Sequence, residues 1–329
     1  MRELSGTIAV LMGGPSAERS ISLKSGQAVV EALTSRGHRV APVVLEPMET
    51  TAAQLATKLH AVRAEVAFLA LHGTFGEDGT LQTILEQLGM PYTGSGPEAS
   101  RWAFDKWASR QRFLARDIPV PPTVHLTRDE AQRWQRTLDG FHRREWTQPL
   151  VVKPVRQGSS MGVTRVASPT ELAHAMDVAL QLDDAVLIET WIQGRELTIA
   201  MFDEQALPVV EIRTTDTFFD YQAKYHASST EYLVPAPLDE VVTLRVQQTA
   251  LAAYRALGCR HFARVDVILS TDGTPVILEV NTIPGLTSRS LLPMAAQACG
   301  CGFPELCEHM VALALETPPA LVAAASGPA

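Results

Sequence analysis

Lysine and asparagine are scarce in this sequence. Its 329 residues include five lysines, Lys24, Lys58, Lys106, Lys153 and Lys224, and a single asparagine, Asn281, although arginine and glutamine are plentiful. Thermal adaptation would deplete glutamine as well and tends to enrich lysine, so coding bias is the plainer account; each lysine or asparagine that does occur invites a reason. Cysteine is nearly as rare, with Cys259, Cys299, Cys301 and Cys307 the four examples. Cys299 and Cys301, followed by Cys307 and His309, lack the spacing of common structural zinc sites, and they are read as helical core cysteines. No apolar run approaches a membrane span. The first, Thr7 to Met12, is too short for a signal segment and has no cleavage pattern behind it, so a cytoplasmic location without disulfides is expected. A net charge of −8 argues against a surface built for nucleic acid or for anionic lipid. The remaining composition, 46% hydrophobic and 19% charged, is that of a globular enzyme with room for two or three cores.

The first hundred residues alternate short apolar runs with longer amphipathic stretches. Strands are expected at Thr7–Met12, Arg39–Val44 and Val66–Leu71, which is the β-α-β pattern of a parallel sheet. Two loops rich in glycine, Gly13-Gly14-Pro15-Ser16 and His72-Gly73 through Gly79, then leave the carboxyl ends of strands, where ligands of open α/β sheets bind. One helix is expected from Pro97 to Arg116, ending at a proline-rich joint. Strands at Leu150–Val155, Gly162–Val166 and Val186–Glu189 form a second unit, with a helix opened by the capping box Ser168-Pro169-Thr170-Glu171. The third unit has strands near Leu197–Phe202 and Val209–Arg213, a polar loop, a long helix to Leu257, a hairpin and two further helices. The units are divided at residues 1–105, 106–194 and 195–316, with a frayed tail over 317–329.

The hairpin is the most informative segment. Strands of β-rich composition flank Asp272-Gly273, a signal for a two-residue turn. Such a turn sets Asp266 opposite Glu279 and Arg264 opposite Asn281, all on one face; Val265, Val267, Leu269, Val276, Leu278 and Val280 share the other. Opposed carboxylates repel unless something positive lies between them. Mg²⁺ is the natural candidate, since it takes oxygen ligands and bridges carboxylates to nucleotide phosphates. The plainer alternative is that Arg264 neutralises both acids.

The sequence has neither the P-loop pattern nor the dinucleotide-binding glycine pattern. Instead Gln157-Gly158-Ser159-Ser160-Met161-Gly162 makes a turn between strands, with Lys153 on the strand before it. Such a turn can offer N–H and hydroxyl donors to phosphate, although a flexible hairpin turn is the commoner meaning. Lys106, Lys153 and Lys224 lie where they could converge on a triphosphate, and their combination with the hairpin favours ATP.

Taken in order, Gly13-Gly14-Pro15-Ser16-Ala17-Glu18, Leu71-His72-Gly73 with Gly76-Glu77-Asp78-Gly79, Tyr92 to Gly96, Lys153-Pro154 with Gly158-Ser159-Ser160, Tyr221 to Tyr225, Arg264-Val265-Asp266 and Glu279 to Gly285 closely resemble the D-alanine–D-alanine ligases of the ATP-grasp superfamily. The resemblance runs over essentially the whole chain up to the tail. It implies an N-terminal parallel-sheet (pre-ATP-grasp) α/β domain followed by a two-part α+β ATP-grasp fold. It also implies joining of two D-alanines through a D-alanyl phosphate, in peptidoglycan precursor synthesis. Position by position, it places Lys106, Lys153 and Lys224 on the ATP phosphates, with Ser159 and Ser160 in the loop over them. Glu189, Trp191, Ile192 and Glu196 fall around adenine and ribose, and Asp266, Glu279 and Asn281 on two Mg²⁺ ions, with Mn²⁺ a possible substitute. Glu18 matches the acceptor for the first substrate's ammonium, and His72 lies near its carboxylate. Arg264 and the Gly285 N–H match the oxyanion donors, and Ser290 with Leu291 the clamp on the second substrate. The resemblance further implies a homodimer, and a lid over Thr214–Pro235 whose Tyr225 completes a hydrogen-bonded trio with Glu18 and Ser159 and favours an amine nucleophile.

Gln157, Met161 and Thr190 depart from residues frequent in the family, and Arg136–Gln148 reads as a variable exposed connection. The competing readings are a D-alanyl-D-lactate or D-alanyl-D-serine ligase, a nucleotide-binding regulator that keeps the fold without turnover, and an NAD-dependent oxidoreductase.

Overall fold

Every residue of Thr7–Gly13 (β1) is buried, as the middle strand of a covered parallel sheet requires. The computed structural model describes residues 6–137, 149–214 and 230–317. In it β1 lies between Val40–Leu45 (β2) and Ala64–Leu69 (β3), parallel to both. Helices Arg19–Ser35 (α1) and Ala52–Ala61 (α2) make the crossovers, and Thr80–Gln87 (α3) follows β3.

The single helix expected from Pro97 to Arg116 is two, Pro97–Phe104 (α4) and Lys106–Leu114 (α5). Asp105 breaks it: its backbone is extended, and its carboxylate accepts the Ala108 N–H at 2.8 Å. An N-cap of this type contributes about 1 kcal/mol. The break sets Lys106 in the first turn of α5, where its N–H donates to the Val155 carbonyl.

A four-stranded antiparallel sheet follows in the order β4-β7-β5-β6, from Thr123–Thr127 (β4), Leu150–Pro154 (β5), Thr164–Val166 (β6) and Ala185–Thr190 (β7). Arg128–Thr137 (α6) and Pro169–Leu182 (α7) lie on it. Ser168 caps α7 as expected, but Glu171 reaches back to the Ala167 N–H at 2.8 Å, one residue beyond the reciprocal partner of a capping box.

The third sheet has the order β11-β10-β8-β12-β13, with every pair antiparallel and β9 paired to β8. Its strands are Gly194–Phe202 (β8), Gln205–Ala206 (β9), Val210–Thr214 (β10), Thr230–Leu233 (β11), Phe262–Ser270 (β12) and Pro275–Asn281 (β13). Helices Glu240–Ala256 (α8), Leu291–Ala298 (α9) and Phe303–Glu316 (α10) complete the described fold.

The hairpin β12–β13 differs from expectation in two places that cancel. Ser270 donates to the Thr274 carbonyl and Gly273 to that of Ser270, so the loop holds three residues, with Gly273 at φ +84°. Pairing therefore slips by one, to Leu269 opposite Pro275 and Val267 opposite Ile277. A bulge at Leu278 then restores it, and Asp266 faces Glu279 and Arg264 faces Asn281 as expected. The apolar face changes accordingly. Ile277 takes the place expected for Val276 and Leu278, packing with Val265, Val267, Leu269 and Val280.

Buried clusters do not follow chain order. Leu292 of α9 and Met310 and Val311 of α10 pack with Ile8, Val10, Met12, Val29 and Leu33, covering one face of the first sheet, while Leu55 and Leu81 belong to the cluster on its other face. Residues of α4, α5 and α8 pack on β8, β12 and β13, and α7 packs on the central sheet. Cys307 is a core cysteine of α10, but α9 stops at Ala298, so Cys299 is exposed and Cys301 half-buried in the following turn. Tyr221, Lys224 and Tyr225, the greater part of the expected lid, the Arg136–Gln148 connection beyond residue 137 and the tail from residue 318 lie outside the described residues.

Candidate active site

Strands β8, β12 and β13 present one polar face, and Asp266, Glu279 and Asn281, the residues expected to bind a cation, are on β12 and β13. Arg264 grips Asp266 with two hydrogen bonds of 2.8 Å, and Thr198 donates to the same carboxylate at 2.7 Å. Across the ladder Glu279 is engaged by the Lys106 ammonium at 3.3 Å. Among the described residues Asp266 is thus bound by Arg264 and Glu279 by Lys106. The Asn281 carbonyl oxygen accepts the Ile283 N–H at 3.0 Å, a turn that fixes the amide beside the carboxylates. Among the described residues no group of three or more His, Cys, Asp and Glu is placed to hold a metal. The donor set here is two carboxylates and an amide, all oxygen, and it suits Mg²⁺, which takes few protein ligands and completes its shell with water and phosphate.

Lys106 also donates to the Gln157 carbonyl at 2.6 Å, which ties the Gly/Ser loop to the acidic hairpin. In that loop Ser159 and Ser160 stand at φ +52° and +55°, the middle of a turn closed by Met161 N–H on the Gly158 carbonyl. Two consecutive non-glycine residues there cost roughly 1–2 kcal/mol each. Strain of this size is kept where a loop must present its backbone in a set way. Lys153 points from β5 to Glu189 of β7 at 2.9 Å, a diagonal neighbour across the antiparallel pair. Burial lowers the Lys153 pKa to about 8, helped by Arg110 and Lys106 and opposed by Glu189 and Glu279. Lys106 and Lys153 are therefore neighbours beside the hairpin, as expected.

The third group lies at the ends of β1 and β3. Glu18, at the start of α1, is buried and accepts a hydrogen bond from the Ser159 hydroxyl, the described part of the expected trio. A side chain at Gly158 would put its Cβ 2.6 Å from a Glu18 oxygen, so any residue other than glycine there would push that carboxylate aside. His72 is buried; its Nδ1 faces the Ile283 carbonyl at 3.0 Å and so carries the proton, while Nε2 accepts from Ser25 at 3.0 Å. Burial first, and Arg264 nearby, push its pKa down to about 4. Glu77, quoted in a motif but given no role, proves to be buried behind these groups and accepts the Gly73 N–H at 2.6 Å. Burial and the Glu18 charge hold its carboxyl well above the ordinary carboxylate range.

The Glu189 carboxylate is buried between Arg110 and Lys153, so its side chain is turned to protein cations. Trp191 and Ile192 are half-buried just beyond it, with the Arg165 guanidinium 5.0 Å from the Trp191 ring. Glu196 lies on β8, paired with Ile268 and Ile212. At the far end of the hairpin, a Cβ on Gly285 would lie 3.0 Å from the Ser290 hydroxyl, which accepts the Thr287 N–H; Ser290 and Leu291 open α9, where N–H groups suit a carboxylate. Arg110 was not singled out in the sequence, although its place one turn after Lys106 was a usable signal.

Comparison with known proteins identifies the family. The family description for the D-ala D-ala ligase C-terminus matches residues 113–312, and that for the N-terminus matches residues 48–95. A D-alanine--D-alanine ligase of Nitrosomonas eutropha is 43% identical over 314 residues, 94% of this chain and 97% of the relative. The ATP-complexed D-alanine--D-alanine ligase of Bacillus anthracis superposes with a TM-score of 0.80 at 33% identity, covering 95% of this chain and 98% of that one. VanG, a D-Ala:D-Ser ligase of Enterococcus faecalis, gives a TM-score of 0.77 at 30% identity, covering 94% and 99%. With both halves of the fold and most of its length matched, the chain belongs to the D-alanine–D-alanine ligase family.

Proposed function

We propose that the protein uses ATP to join two D-alanine molecules into D-alanyl-D-alanine, releasing ADP and phosphate. The observation that carries this reading is the Lys106 ammonium, which joins the Gln157 carbonyl of the Gly/Ser loop to Glu279 of the acidic hairpin. The Gly/Ser loop and the acidic hairpin are thereby joined through one ammonium, and Glu18, at the start of α1, meets the same loop through Ser159.

The chemistry follows from those positions. Bound Mg²⁺, two ions with Mn²⁺ an acceptable replacement, would be held by Asp266, Glu279 and Asn281 and would supply charge neutralisation at the phosphates. Lys106, Lys153 and Lys224 hold the triphosphate while the first D-alanine's carboxylate attacks the γ-phosphate. Glu18 orients that substrate's ammonium, and neutral His72 lies beside its carboxylate without adding charge. When the second D-alanine's amine attacks the acyl phosphate, Arg264 and the Gly285 N–H face the developing oxyanion, and Ser290 and Leu291 hold the second carboxylate. Tyr225 and the lid exclude water from the acyl phosphate. The product serves peptidoglycan synthesis in the cytoplasm, and the active form is a homodimer. Among the described residues no helix is long and apolar enough to cross a membrane.

Mass spectrometry after incubation with ATP, Mg²⁺ and D-alanine should show the dipeptide with stoichiometric ADP. Equal turnover of L-alanine would remove the stereochemical claim. The likeness to VanG supports one second reading, a D-alanyl-D-serine ligase. Equimolar D-alanine and D-serine decide it, since a majority of mixed dipeptide would displace the first reading.

A further inference from the structure

Arg110 is 1% exposed, the largest fully buried side chain among the described residues, and no step so far uses it. It sits one turn after Lys106 on α5, on the same side of the helix. Its Nε donates to the Thr123 hydroxyl at 3.0 Å, and one Nη contacts a Glu189 oxygen. Thr123 and Glu189 are opposite each other in the β4–β7 ladder, so the guanidinium spans both strands at one rung. The second Glu189 oxygen holds the Lys153 ammonium at 2.9 Å. Two cations therefore share one buried carboxylate, and among the described residues the cluster of Arg110, Lys153 and Glu189 keeps one positive charge in excess. A fold gains no stability from an uncompensated buried charge, so its retention asks for an anion. One turn before Arg110 on the same helix, Lys106 holds Glu279 at 3.3 Å, which ties this cluster to the acidic hairpin.

We propose that Arg110 is a positioning residue for ATP: it holds one oxygen of Glu189 so that the carboxylate aims Lys153 at the phosphates without neutralising it. Without Arg110, Glu189 would close on Lys153 with both oxygens, and the pair would be neutral. The proposal rests on the assignment of Lys153 to the nucleotide, and wild-type binding is therefore measured first. If the wild-type enzyme binds no Mg-ATP in calorimetry, that assignment falls, and the role of Arg110 with it.

Given wild-type binding, Arg110→Met should raise the Kd and KM for ATP about tenfold, with kcat at saturating ATP and the KM for D-alanine within about threefold. Arg110→Lys, which restores the charge, should recover most of the loss. In a Glu189→Gln background Arg110→Met should change ATP affinity by less than about twofold, because the carboxylate through which Arg110 acts is gone. Circular dichroism checks folding; should Arg110→Met not fold, Arg110→Gln, which removes the charge and keeps a donor to Glu189, takes its place in the cycle. Wild-type affinity in the neutral variant, or an undiminished loss in the Glu189→Gln background, would overturn the role given to Arg110.

Discussion

Lys153 shows what burial does to a single residue in this site. Its pKa is lowered to about 8, whereas the unfolded chain keeps that proton to about 10.5. Below about 8 the ammonium is charged and its burial penalty is in force; between 8 and 10.5 the unfolded state holds more protons, so this group's contribution to stability rises with pH. A triphosphate favours the charged form, and ATP affinity should fall as pH rises above about 8, with a proton taken up on binding. Calorimetry in two buffers of different ionisation enthalpy measures that uptake, and a binding heat independent of buffer at pH 9 would refute it. Glu279→Gln acts at the same scale. It removes a carboxylate opposite Asp266 while preserving shape, and turnover should drop by about a hundredfold or more with an unchanged circular dichroism spectrum. Near-normal turnover would mean that Glu279 holds no metal. At this scale the sequence was legible where rarity and pattern met, as in Asn281, Lys106 and Lys153. Arg110 and Glu77 were not, because their importance comes from burial beside partners 79 and four residues away, and arginine and glutamate are common here.

Among the elements, the Gly/Ser loop and the hairpin behave differently under the same sequence signal, a turn rich in small residues. The loop is fixed by what it touches. A methyl group at Gly158 needs no left-handed backbone, yet it would meet the Glu18 carboxylate. Gly158→Ala should therefore leave the melting temperature within a few degrees, because a flexible carboxylate can move aside, and should raise the KM for D-alanine about tenfold. Steady-state kinetics with ATP saturating would check this; an unchanged KM would show that Glu18 does not meet the first substrate. The hairpin was legible in its outcome rather than in its path. Alternation gave the facing of Asp266 and Glu279, but Asp272-Gly273 accommodates either a two-residue or a three-residue loop, and the bulge at Leu278 has no local marker. Strand β4 went unread because five residues of mixed polarity form a strand only when β7 is there to pair with them.

At the scale of the whole molecule the cores decide what unfolds together. The cluster around Met310 joins β1 and α1 to α9 and α10, while the cluster around Met176 belongs to the central sheet alone. Met310→Ala empties a fully buried position and should destabilise the first of these by about 2–5 kcal/mol. Scanning calorimetry should resolve two transitions, with only the one that contains the first sheet shifted by this substitution; one transition displaced as a whole would show that the cores melt as a unit. The fold class was legible because β-α-β periodicity and turn chemistry are local properties. The partnership between the first strand and the last helix was not, since nothing local in either names the other.

That partnership has a consequence during synthesis on the ribosome. The apolar side of Ile8, Val10 and Met12 is covered in part by Val29 and Leu33 of α1, and the rest of its cover waits for the chain that supplies Leu292, Met310 and Val311, some three hundred residues later. A strand made ahead of the other described elements is thus among the last to be sealed, and until then it leaves part of its apolar surface open to aggregation.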